Sequence, residues 1–381
     1  MKDIYMDHAA TTPMDKQVVS AMNPVFEDVF GNPSSIHSFG RKARKYLDEA
    51  RRTMAKSIHA NEKDIIITSG GTEADNLALI GTAFANKDRG RHIITTVQEH
   101  HATLHTAEHL ENQGFHVTYL PVGENGLVSV DDLKNALTDE TILVSIMYVN
   151  NETGMIQPIR EIGNVLKDYQ EIYFHTDAVQ AYGLLDIDVK EYGIDMLTVS
   201  SHKINGPKGI GFLYAANNVK IEALQFGGEQ ERKRRPGTEN VAGAVGFQKA
   251  VDLAINNKTD RNTSYQGFKD QFISHLSDSG INFEINGDEK KSIASIVNIS
   301  FPGTNVESLL TNFDLDGIAA SSGSACTAGS VEPSHVLAAM YGENDERTTN
   351  SIRFSFGIFN TTENIEEAAN RVVKIVKRLT T

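Results

Sequence analysis

Thr198-Val-Ser-Ser-His-Lys-Ile-Asn-Gly-Pro-Lys-Gly-Ile-Gly-Phe212 starts as an apolar strand and breaks at Ser200-Ser-His-Lys203 into a Gly/Pro turn, which puts Lys203 at a strand end. In open α/β sheets ligands bind at the carboxyl ends of the strands. Working outward, short β-branched runs recur at Asp64-Ile-Ile-Ile-Thr68, His92-Ile-Ile-Thr-Thr96, Ile142-Leu-Val-Ser-Ile-Met147 and Met196-Leu-Thr-Val-Ser200. They alternate with helical periodicity over 41–58, 73–84 and 241–255. This alternation predicts a mostly parallel sheet covered on both faces. After the polar stretch 256–263 the style changes: a helix over 265–276, a strand-like run over 293–301 and a last helix over 363–378 predict a second, smaller α+β domain.

The chain has 381 residues, 40% of them hydrophobic and 23% charged, enough for two cored domains. Its 36 Lys and Arg against 50 Asp and Glu give a net charge of -14, which speaks against direct nucleic-acid binding. No stretch approaches the roughly 20 apolar residues of a membrane span. Met1-Lys-Asp-Ile-Tyr-Met-Asp-His8 has no apolar core of signal-peptide length. With a single cysteine no intrachain disulfide can form, so a reducing cytoplasm is the expected location.

A lone lysine is ordinarily a solvated loop residue, but Lys203 has company. Ile172-Tyr-Phe-His-Thr-Asp-Ala-Val-Gln180 sets Asp177 just past another apolar strand. Asp177 could cap the following helix; a buried carboxylate there would instead need a cationic partner. Pyridoxal 5'-phosphate requires both a lysine and an acid opposite its ring nitrogen. Thr68-Ser-Gly-Gly-Thr-Glu-Ala-Asp-Asn76 passes from strand to helix through two glycines, so Gly71 and Thr72 could cradle a phosphate, with Ser200 and His202 converging from the lysine turn.

His100, His101, His105 and His109 include three on one helical face, a spacing that a metal site could use. No cysteine or paired carboxylate lies nearby, so no metal is expected. His100 falls at a sheet end, where an imidazole can stack on a flat ring and exchange protons. The one cysteine, Cys326, sits in Ser321-Ser-Gly-Ser-Ala-Cys-Thr-Ala-Gly-Ser330, among small residues that cost little to rearrange. Structural cysteines prefer apolar surroundings, and this setting predicts a reactive thiol on a mobile loop.

Taken together the motifs resemble one family, the pyridoxal-phosphate-dependent cysteine desulfurases of the NifS/IscS type, within the class-V aminotransferases. The resemblance spans nearly the whole chain. It is carried by Tyr5-Met-Asp-His-Ala-Ala-Thr-Thr-Pro13, Gly31-Asn-Pro-Ser-Ser-Ile-His37, Ser69-Gly-Gly-Thr-Glu-Ala-Asp-Asn76, Glu99-His100 and Val149-Asn-Asn-Glu-Thr-Gly154. His175-Thr-Asp-Ala-Val-Gln180, Ser200-Ser-His-Lys203, Arg235-Pro-Gly-Thr238 and the Cys326 loop complete it. The resemblance implies fold type I of the pyridoxal-phosphate enzymes. A large domain over 14–255 would hold a mostly parallel seven-stranded sheet. A small domain of 1–13 with 256–381 would carry the cysteine loop at about 321–333.

It also implies roles. Lys203 would hold the cofactor covalently, Asp177 face its ring nitrogen and His100 stack on the ring. Gln180 and Asn151 would bond near its phenolic oxygen. Gly71, Thr72, Ser200 and His202 would hold its phosphate, joined by Thr238 of a neighbouring subunit in a homodimer. Arg353, in Ser351-Ile-Arg-Phe-Ser-Phe-Gly357, would pair with the substrate carboxylate. Asn32 and His37 lie in the matching substrate-side segment. L-Cysteine would give L-alanine and a persulfide on Cys326, passed to an iron–sulfur scaffold protein or a tRNA-thiolating enzyme. Cys326 could also ligate a cluster transiently.

A free thiol is only about 3% thiolate at pH 7, and no cation flanks Cys326 in sequence, so activation must come from His100 or the incoming thiol. The loop lacks the Arg-x-Gly-His-His-Cys pattern of the branch that depends on an activator protein. It departs from many relatives at Ala328, where they carry serine. The basic run Glu231-Arg-Lys-Arg-Arg235 would line the phosphate and dimer interface or form a solvated face. Rival readings are a selenocysteine lyase, another fold-type I enzyme and, more remotely, a non-catalytic partner in iron–sulfur assembly.

Overall fold

The computed structural model describes residues 3–323 and 333–381; Cys326 lies outside the described residues. Seven strands form the main sheet, in the spatial order Ile65–Thr68, Gly211–Ala215, Met196–Ser200, Tyr173–Asp177, Thr141–Ser145, His92–Thr96, His116–Leu120. Gly211–Ala215 runs antiparallel to both neighbours, and every other pairing is parallel. All seven lie between helices, and the inner strands are buried at every position. Hence apolar side chains such as Ile93 and Ile94, Leu143 and Val144, or Phe212 and Leu213 stand at successive positions rather than in a two-residue alternation.

This topology places the site. Because six strands are parallel, Thr68, Thr96, Ser145, Asp177 and Ser200 all end at one edge of the sheet. Each residue that follows such an end is delivered to the same crevice. Asp177 is the last residue of its strand rather than the first beyond it.

Residues from both ends of the chain build a second core. Ile4 and Met6 pack with Phe272, Phe301, Phe313, Phe354 and Val372. Ile4–Tyr5 pairs in parallel with Ile318–Ala319. A three-stranded antiparallel sheet, Ser351–Ser355 next to Ile296–Ser300 next to Glu284–Ile285, backs this core.

The polar stretch 256–263, expected to be a break before a helix at 265, is helical for most of its length. One helix ends at Asn256 and the next runs Lys258–Asp278. The junction is Asn257, whose backbone at φ -109 and ψ 13 leaves the helical region, so the break is one residue wide. Lys, Thr, Asp, Arg and Asn are tolerated there because Thr259, Asp260 and Thr263 point outward or bond along the helix, while the buried face begins at Tyr265.

Phe354 is fully buried, with its ring centroid 4.8 Å from Phe272 and 5.9 Å from Phe313. Phe354→Ala should lower unfolding free energy by about 3–5 kcal/mol, read as a shifted urea midpoint, because its ring neighbours Phe272, Phe301 and Phe313 are themselves fully buried and packed.

Candidate active site

The shared sheet edge opens onto a cavity of about 330 Å3. Of the thirteen residues expected to act on cofactor or substrate apart from Cys326, ten line it: Gly71, Thr72, His100, Asn151, Asp177, Gln180, Ser200, His202 and Lys203, together with Arg353 from the antiparallel sheet. Thr238, Asn32 and His37 do not. All three are exposed, and the latter two are tied down locally: Asn32 Oδ1 accepts from Ser34 N at 2.9 Å, and His37 Nδ1 caps the Ser38–Lys56 helix through Gly40 N at 3.2 Å. Within one chain these residues do not reach the cavity that the resemblance assigns to them.

Lys203 follows the strand Met196–Ser200 in a single 3-10 turn. Its Nζ donates to the carbonyls of Ala9 and, at 2.9 Å, Ala10. Burial lowers its pKa from 10.5 to about 8, helped by the positive charge of Arg353 and opposed by Asp177 and Asp7. Asp177 is buried, and its Oδ1 accepts from Val179 N at 2.8 Å. Burial pushes its carboxyl up to about 6, against that hydrogen bond and the charge of Lys203. No helix follows Asp177, so it is not a helix cap: Oδ1 closes a turn through Val179 N, and the buried group has no ion-pair partner at contact distance among the described residues.

His100 ends the loop before the helix His101–Asn112 and is its N-cap, with Nδ1 accepting from Ala102 N at 3.1 Å. The neutral ring therefore carries its proton on Nε2. Burial lowers its pKa to about 4, with Lys203 and the neighbouring imidazoles adding to the effect. His100 is thus the cap and not a member of the helical histidine face; His101 stacks on His105 at 5.0 Å instead. Among the described residues no group of three His, Cys, Asp or Glu is placed to hold a metal ion.

The cavity wall also offers backbone donors for an anion. The helix Gly71–Asn86 starts at the cavity wall with unpaired N–H groups. A Cβ on Gly71 would come 3.2 Å from Val179 Cγ2, so the close approach favours glycine. The basic run is used otherwise: Glu231 takes both ends of the Arg51 guanidinium at 2.6 and 2.7 Å, and Arg235 pairs with Glu73 at 2.7 Å.

Several contributors carried no role in the sequence reading. The segment 5–13 lies across the site: Asp7 pairs with Arg353 at 2.8 Å, Ala9 O accepts from Gln180 Nε2 at 2.9 Å, and Thr11 and Thr12 bond His202. Asn151 O accepts from Arg353 Nη1 at 2.9 Å. Beneath Asp177 lie two more buried carboxyls, Asp75 and Glu99, both raised chiefly by burial, Glu99 to about 8. Of the three, Asp177 is the carboxyl with the lowest affinity for a proton at the cavity floor.

The donor set fits pyridoxal phosphate: a buried amine of lowered pKa, a buried carboxyl with no ion-pair partner at contact distance, an imidazole on the same cavity and a helix N-terminus for an anion. The chain belongs to the class-V aminotransferases, whose family model, "Aminotransferase class-V", matches residues 4–367. It is therefore a pyridoxal-phosphate-dependent enzyme of fold type I. It is 60% identical over 380 residues, the whole of both chains, to "Putative cysteine desulfurase IscS 1" of Bacillus subtilis strain 168. To "Cysteine desulfurase IscS" of Clostridium botulinum strain Hall it is 49% identical over 379 residues, 99% of this chain and 95% of the relative. A solved "NIFS-LIKE PROTEIN" superposes with a TM-score of 0.92 at 33% identity, covering 99% of this chain and 100% of that one.

Proposed function

We propose that this enzyme is a cysteine desulfurase, converting L-cysteine and the Cys326 thiol into L-alanine and a Cys326 persulfide. The observation that carries the reading is the convergence of Lys203, Asp177, His100 and Arg353 on one cavity, in a chain that is similar over its full length to relatives named for this reaction.

Bound pyridoxal phosphate supplies a sink for the electron pair left at Cα. Arg353 takes the substrate carboxylate; its Nε is buried without a partner, so the guanidinium retains donor capacity beyond Asp7 and Asn151. Asp177 would hold the ring nitrogen of the bound cofactor through its carboxylate. The Lys203 amine removes the Cα proton and later returns one. His100, protonated on Nε2, would lie against the bound ring and could donate a proton there. Cys326 as thiolate attacks the substrate sulfur: the S–S bond forms, the Cβ–S bond breaks, and its electron pair ends as a C–H bond of alanine.

The physiological form in this reading is a homodimer. Thr238 is exposed in one chain, and so is an apolar patch that flanks Asn32 and His37 in sequence and includes Phe30 and Ile36, 74% and 90% exposed. A partner covering that patch would bring Thr238, Asn32 and His37 to the other cavity. Among the described residues no helix is long and apolar enough to cross a membrane, and we place the enzyme in the cytoplasm, donating sulfur to an iron–sulfur scaffold or a tRNA-thiolating enzyme.

Intact-protein mass spectrometry after a short pulse of L-cysteine tests the reaction, since the chain has one thiol. A gain of one sulfur, absent in Cys326→Ser and reversed by reductant, with alanine released, is expected. Turnover without that gain would favour a lyase that releases sulfur directly.

A further inference from the structure

Glu152 is a buried carboxyl, 1% exposed, to which the reaction above gives no task. Its backbone is fixed on both sides: its N–H donates to Asn150 Oδ1 at 2.9 Å, and its carbonyl accepts from Asn298 Nδ2 at 3.2 Å. The carboxyl then meets two chain segments that flank Cys326. On one side Ser334 Oγ donates to Oε2, and the same hydroxyl caps the helix His335–Tyr341 by accepting from Leu337 N at 3.1 Å. On the other, Gly323 lies so close that a Cβ built on it would stand 1.7 Å from Oε2 and 2.1 Å from the carboxyl carbon.

These anchors are themselves tied to the site. Ser321 exchanges backbone hydrogen bonds with Arg353 at 2.7 and 3.3 Å, and His335 Nε2 lies 3.0 Å from Glu99 O, next to His100. An apolar side chain would fill the space at lower desolvation cost than a carboxyl. The carboxyl offers what an apolar group cannot, an acceptor for Ser334 in a spot where Gly323 must also pass. Fixing both ends of a loop removes conformations from the chain between them and raises the effective concentration of a thiol it carries.

We propose, building on the desulfurase reading, that Glu152 is a positioning residue for sulfur transfer. By accepting from Ser334 and packing against Gly323 it sets the two positions between which the segment bearing Cys326 runs. It therefore governs attack on the substrate sulfur, and not carboxylate binding or Cα–H cleavage.

The test separates the two half-reactions in the cofactor-loaded enzyme. Exchange of the Cα hydrogen of L-alanine in deuterated water reports proton removal with no sulfur present. Single-turnover persulfide formation from L-cysteine reports attack by Cys326. Glu152→Ala should keep alanine exchange within about twofold and slow persulfide formation about tenfold or more, the scale of a small misplacement of reacting groups. Glu152→Gln, which keeps an acceptor for Ser334, should stay within about threefold on both. Gly323→Ala should show the same selective loss. The double variant with Glu152→Ala should be no slower than the worse single, since the clash partner is gone. Alkylation of Cys326 by iodoacetamide, which needs no turnover, should speed up severalfold in Glu152→Ala and not in Glu152→Gln.

Equal loss in both half-reactions, no loss in either, or additive single effects would each overturn the inference while leaving the desulfurase reading intact. Wild-type enzyme that exchanges alanine but forms no persulfide would remove that reading and this inference with it. Should Glu152→Ala fail to fold, Ser334→Ala and Gly323→Ala carry the same comparison.

Discussion

Lys203→Ala, supplied with excess pyridoxal phosphate, is expected to consume L-cysteine at less than about one ten-thousandth of the wild-type rate, because it loses both a positioned base and the point of covalent attachment. The environment of the amine argues for this magnitude. Burial and Arg353 bring its pKa to about 8, so at pH 7.5 roughly a quarter of it is neutral, against roughly a thousandth for an ordinary lysine. Only the neutral amine can attack a carbonyl or accept a proton. The lowered pKa moves the onset of reactivity down from the lysine range toward neutrality. Uptake of the cofactor by cofactor-free protein should accordingly rise by about tenfold per pH unit below pH 8 and level off above it. Lys203→Arg, which remains charged throughout, should show no uptake. A flat uptake profile between pH 6 and 8, or substantial turnover by Lys203→Ala, would mean that another group holds the cofactor.

Much of this site could be read from sequence because it sits where strands end. A β-branched run stopping at Ser200 or Thr96 marks a sheet edge, and the residues that follow, Lys203 and His100, are delivered to it by topology alone. Asp7 and Glu152 were different. They lie in quoted motifs, yet their partners are Arg353, Ser334 and Gly323, hundreds of positions away or across the two cores. Local pattern contains no trace of such pairings, and motif membership did not supply a role. The start of the helix at Lys258 was hidden for another reason: its first turns are polar on every side, so the apolar period that announces a helix begins only at Tyr265. For Asn32, His37 and Thr238 the resemblance speaks of a cavity, and the single chain gives them caps and solvent. The homodimer proposed above would reconcile the two.

Asp177→Asn should retain the fold and the Val179 contact and still lose about 10²–10⁴ in kcat, the effect of breaking a buried charge pair worth about 3–5 kcal/mol. The KM for L-cysteine should move little, because the substrate carboxylate is the concern of Arg353. The same substitution should have the opposite effect on stability when no cofactor is bound. Burial raises the Asp177 pKa from 3.8 to about 6, so the folded protein ionises it later than the unfolded chain does. A raised carboxyl pKa costs nothing below the unfolded value; the penalty grows as pH climbs from about 4 to about 6 and is constant above. Cofactor-free Asp177→Asn should therefore melt at the wild-type temperature near pH 4 and above it at pH 8. With cofactor bound, the cationic ring nitrogen relieves the penalty in the wild type alone, and the order of melting temperatures should narrow or reverse. A variant that melted lower than wild type in both states at pH 8 would show that Asp177 is satisfied by the protein itself, and that the cavity was not built around a cation. The stability sacrificed by burying this carboxylate without a partner would then have no return in catalysis, which is why the two melting curves and the kcat belong to one test.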